Sequence, residues 1–73
     1  MTKEQLEQLR KLMTKAVLAR KSLIEVAKAL NDADIVNKDT YFGTSCVATY
    51  IYEAINKLDF ALDQLEIFMK EGS

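Results

Sequence analysis

A chain of 73 residues with 49% apolar content and a net charge of −1 has room for one small domain, and no overall field to draw it onto nucleic acid or an anionic membrane. It holds no histidine, no proline and a single cysteine. Those absences remove the commonest general base and metal ligand, exclude an internal disulfide, and leave few breakers, which is the profile of long helices rather than of a sheet or a disordered tail.

The first helix is expected over about residues 2–31. Thr2 stands three residues before Gln5, the spacing of a capping box. Apolar residues follow at Leu6, Leu9, Leu12, Met13, Ala16, Val17, Leu23, Ile24, Ala27 and Leu30, filling one broad face at the helical period, with Leu18 alone on the far side. Arg20 projects near the centre of that apolar face.

A turn is expected over about residues 32–38, where Asn and Asp side chains compete with the helix for backbone hydrogen bonds. Ile35 and Val36 are expected to tuck back against the helix ends. The second helix is expected over about residues 39–71, with Asp39 or Thr40 as N-cap and Thr44 as a later alternative. Gly43 then marks a kink or the close approach of another backbone. A heptad seam runs through Val47, Ile51, Ala54, Leu58, Ala61, Leu65 and Phe68, widened by Ile55, Leu62 and Met69. Gly72 stops the helix. A second stripe, Phe42, Thr49, Phe60 and Ile67, shares another rotation of the same helix, and a hairpin has no internal interface left to cover it.

The expected architecture is therefore all-α: one domain of two long antiparallel helices, folded at Ile35–Val36. That pivot sets Leu9 near Leu62 and Leu30 near Phe42. A core this small is marginal alone, so assembly into a four-helix bundle or a larger helical oligomer is expected. Residues 2–31 carry seven basic and three acidic side chains, and the remainder three basic and eight acidic. Opposite charge favours the antiparallel pairing and discourages like helices from lying side by side.

Five groups of residues come into question as candidate sites. Arg20 on an apolar face needs an anion. Glu53 is the expected internal partner, and a phosphate-like ligand held with Lys21 and Tyr50 is the sharper alternative. Phe42, Tyr52, Phe60 and Ile67 are the expected oligomer or partner interface, since aromatic side chains suit such surfaces. Lys3, Arg10, Lys21 and Lys28 share an edge that could track phosphates, but Glu7 and Glu25 interrupt it. Asp59, Asp63 and Glu66 form an outer acidic group that lacks the histidines of carboxylate-bridged metal bundles. Thr44, Ser45 and Cys46 have no base beside them to make a nucleophile.

No catalytic residue, metal or cofactor is expected. The expectation is a non-enzymatic helical oligomer that binds another macromolecule, as a protein-binding regulator or inhibitor of phage or plasmid type. In size and outline it resembles the plasmid copy-number regulators that dimerise as four-helix bundles, with no motif carrying the resemblance. The alternatives are a binder of a nucleotide-like anion between subunits, and an RNA- or DNA-binding bundle. Residues 1–11 lack the apolar run of a signal peptide, and the uncharged residues 40–52 are too short and polar to span a bilayer, so a cytoplasmic location is expected.

Overall fold

The computed structural model describes residues 1–72 as a rod of 55 × 15 × 14 Å. Two antiparallel helices, α1 (Lys3–Ala33) and α2 (Thr44–Glu71), are joined by a two-stranded ladder of β1 (Val36–Asn37) and β2 (Phe42–Gly43). The chain is an all-α hairpin with a β-turn tip.

α1 starts as its sequence indicates. The Thr2 hydroxyl accepts from Gln5 N at 3.1 Å, and Gln5 Oε1 accepts from Thr2 N at 2.9 Å, which satisfies two of the free donors of the first turn. The helix ends at Asp34, in the left-handed region at φ 48°.

The tip departs from expectation. Residues 36–43 form a tight hairpin instead of the first turn of α2, so α2 begins at Thr44, the later of the expected starts, with Gly43 as N-cap, and not at Asp39 or Thr40. The barrier is Tyr41, held at φ 57° while its N–H donates to Asn37 O at 2.7 Å. A right-handed helix cannot run through a residue in that conformation. Asn37 Oδ1 accepts from Asp39 N and Thr40 Oγ1 accepts from Phe42 N, so polar side chains shape the loop locally. Thr44 clamps the two helix ends: it donates its N–H to Ile35 O at 2.8 Å and accepts from Ile35 N on Oγ1 at 3.0 Å. Gly43 is needed for space, since a Cβ there would lie 3.0 Å from Ile35 O and 3.3 Å from Val36 Cγ2. Ile35 and Val36 do not tuck inward. Both are exposed, because the ladder turns them away from the helix ends.

The hairpin turns about the middle of that ladder, some four residues later than Ile35–Val36. Every partner on α2 therefore moves several residues toward the C-terminus. Leu9 shares a hollow with Phe68, not with Leu62. Between the helices runs one narrow seam. On α1 it is Leu6, Leu9, Met13, Ala16, Arg20, Leu23, Ala27 and Leu30, in unbroken steps of three and four, with Ile24 alongside. On α2 it is Ala48, Ile51, Ile55, Leu58, Leu62, Leu65 and Met69. The seam of α2 is thus rotated from the one its sequence suggests: Ile55, Leu62 and Met69 go in, while Ala54, Ala61 and Phe68 stay exposed. Both stripes have heptad spacing. The one that turns inward has two branched aliphatics and a methionine where the other has two alanines and a phenylalanine, so it removes more apolar area from water.

Little of this core is sealed. Ala27, Ala48, Ile55 and Met69 are the buried hydrophobics among the described residues. Leu12 and Val17 of the broad α1 face remain exposed beside the seam, as does Val26.

Candidate functional site

Arg20 sits in the seam because the three-four rhythm of α1 has no other place for residue 20. Its partner is Asp59, not Glu53. Nε donates to Oδ1 at 2.5 Å and Nη2 to Oδ2 at 3.2 Å, a two-bond pair in which both carboxylate oxygens are used. The change of partner follows from the later pivot of the hairpin, which brings residue 59 level with Arg20 where a pivot at Ile35–Val36 would bring residue 51, two residues from Glu53. Asp59 thereby leaves the outer acidic group in which Asp63 and Glu66 remain. No group of three or more Cys, Asp or Glu residues among those described could hold a metal ion. The hydrogen bonds that Arg20 donates to Asp59, and next the carboxylate's charge, raise the Arg20 guanidinium above its ordinary value, with an opposing effect of desolvation. The pair is only half covered, with the side chains 37% and 42% exposed.

Arg20, Lys21 and Tyr50 do not converge. Tyr50 lies nine residues before Asp59 on α2, about 13 Å along the rod, and its ring stacks on Phe42 at a centroid distance of 6.4 Å. Lys21 is exposed on the next position around α1. Arg20 uses two of its five guanidinium N–H groups on Asp59, so an anion at the remaining donors would have to sit beside that carboxylate and its charge. The basic edge of α1 is exposed, and its Arg10 borders the same hollow as Glu66.

The predicted interface residues fall into three places. Phe42 belongs to β2 and so does not continue the stripe of α2. It joins an exposed cluster at the tip with Ile35, Val36, Tyr50 and Tyr41, which is 85% exposed. Tyr41 is a bulky side chain in the left-handed region with no burial to hold it there, an outlier of a kind that clusters at functional surfaces. Phe60 and Ile67, 67% and 48% exposed, lie seven residues apart on the side of α2 opposite the seam. Tyr52 is also exposed, and lies seven residues before Asp59 on the flank that carries the ion pair.

The two long sides of the rod differ. One carries the Arg20–Asp59 pair and a hollow lined by Leu6, Arg10, Met13, Glu66, Met69 and Lys70. The other has a hollow lined by Met1, Gln5, Gln8, Leu9, Phe68 and Gly72, with no charged side chain. Reasoning from sequence missed this second side, although its signal was present: it took Ala54, Ala61 and Phe68 for the internal seam, and they are the uncovered flank beside it.

No helix among the described residues is long and apolar enough to cross a membrane. No protein family, no curated protein and no solved structure matches the chain.

Proposed function

We propose that this chain carries out no chemistry of its own and acts as a self-associating helical hairpin that binds another protein and so regulates or inhibits it. The observation that carries the reading is the amount of surface left uncovered. A folded monomer of 8.3 kDa exposes about 4,600 Å² by the usual scaling with mass, and this one exposes 5829 Å², about 1,200 Å² more. A standard interface takes roughly 800 Å² from each partner. Much of the uncovered surface is apolar, and α2 presents it both beside the seam and opposite it. Two uncovered directions allow for two kinds of neighbour.

The test uses matched baits, wild type and Phe60→Glu, since Phe60 faces away from the seam and its loss leaves the core intact. A protein retained by the wild type and lost by the variant is expected, and it should bind the purified wild-type chain in solution. Equal recovery on both baits, or no binding by the purified components, would refute the partner-binding reading.

A further inference from the structure

We infer that a second copy of this chain seats on the flank formed by Leu12, Ala19 and Val26 of α1 with Ala54, Ala61 and Phe68 of α2, making a two-fold symmetric four-helix bundle. The inference rests on the self-association proposed above and specifies its surface.

Two contacts set the register of the helices: Arg20 lies level with Asp59, and Val36 pairs with Gly43. Carried along the rod, the same register brings Leu12 to within one residue of Phe68, Ala19 of Ala61, and Val26 of Ala54. These are three rungs about 10 Å apart, each apolar on both helices. All six residues are exposed in the single hairpin. Phe68 also lines the uncharged hollow at the end of this flank, which places the rungs on the side away from the Arg20–Asp59 pair. Hydrophobic residues at two seam positions and one flank position per heptad are the pattern of a helix that faces two neighbours, as in a four-helix bundle. One hairpin supplies each helix with a single neighbour.

The surface area fits a copy of the chain itself. The excess over a compact monomer, about 1,200 Å², exceeds what one side of a standard interface needs. Charge then chooses the arrangement. The α1 half is basic and the remainder acidic. Turning the second copy about an axis along the rod lays its α1 over this α2, and its α2 over this α1, so that opposite charges adjoin at every interhelix boundary. The perpendicular axis would lay like on like. The favoured arrangement puts both aromatic tips at one end of the bundle and leaves Phe60 and Ile67 facing outward for another partner.

Light scattering coupled to size exclusion, on full-length protein at about 100 μM, tests the face through two adjacent residues. The wild type should elute at twice 8.3 kDa. Ala61→Glu should elute at the monomer mass with its helical circular dichroism retained, because residue 61 is exposed in the lone hairpin. Phe60→Glu should remain a dimer. A dimer that survives Ala61→Glu but is lost in Phe60→Glu would overturn the face and leave self-association standing. A monomeric wild type would overturn both. Spin labels on the exposed Cys46 should lie at the same end of the bundle, and a separation approaching much of the 55 Å rod would overturn the arrangement.

Discussion

Arg20 and Asp59 meet across the hairpin through two parallel hydrogen bonds, and Arg20 occupies a seam position that would otherwise be aliphatic. A guanidinium there contributes little apolar burial, but it accepts one partner level only. Its effect is to oppose sliding of α1 along α2, the role best attested for polar groups in helical seams.

Removing Asp59 leaves the guanidinium against the seam without its carboxylate, so Asp59→Ala should lower the melting temperature. Arg20→Leu completes the aliphatic stripe and should raise it, since a well-packed apolar residue commonly matches or exceeds an ion pair in such a place. Melting curves by circular dichroism decide the matter. A lower melting temperature in Arg20→Leu would show that the pair is a net source of stability. The guanidinium is raised above its ordinary value, so its contribution is complete below the unfolded value and fades only as pH climbs through the folded one, in strongly alkaline solution.

Tyr41 holds a left-handed backbone at φ 57° with its ring in solvent. Asparagine tolerates that region better than tyrosine and has no packing to forfeit there. Tyr41→Asn should stabilise the hairpin by roughly 0.5–1 kcal/mol, the scale of a relieved left-handed residue. Urea unfolding at constant m-value would report it. A loss of stability would mean that the ring makes an interaction that holds the tip.

The reciprocal bonds between Ile35 and Thr44 tie the end of α1 to the start of α2. Thr44→Val keeps the shape and removes the acceptor for Ile35 N–H. The expected loss is about 0.5–1 kcal/mol, because the exposed amide can turn to water. Exchange of the Ile35 amide should quicken more than that of any mid-helix amide. Unchanged exchange would remove the clamp from the account.

Ile55 is 3% exposed and its neighbour Ala54 is exposed. Ile55→Ala should cost about 2–4 kcal/mol, by lost transfer energy and an unfilled cavity. That is most of the stability available to so small a core. Ala54→Ser should change folding stability by no more than about 0.5 kcal/mol when measured at a concentration low enough to keep the chain monomeric. Equal effects of the two substitutions would restore the seam through Val47, Ala54, Ala61 and Phe68 that the sequence suggests.

Much of the hairpin is legible in the sequence. Thr2 and Gln5 announce the start of α1, the apolar period announces both helices, and Gly43 announces either a kink or the close approach of another backbone, of which the second is found. Local chemistry decides each of these, so short windows suffice to read them. The phase of α2 was harder. Ile51, Leu58 and Leu65 belong to two heptad stripes at once, and only the position of α1 selects Ile55, Leu62 and Met69 over Ala54, Ala61 and Phe68.

What the sequence determined by itself is that two amphipathic helices form, that α1 is basic and the rest acidic, and that more apolar surface exists than one hairpin can cover. What only the tertiary structure decided is the pivot. A four-residue loop with Tyr41 in the left-handed region closes a two-pair ladder, and no propensity announces a tyrosine in that role. From the pivot follow the register, the choice of Asp59 over Glu53 for Arg20, and the flank left open beside the seam. A periodic pattern states how side chains are spaced around a helix. It does not state which of two neighbouring stripes meets the other helix, because that depends on where the chain turns back on itself.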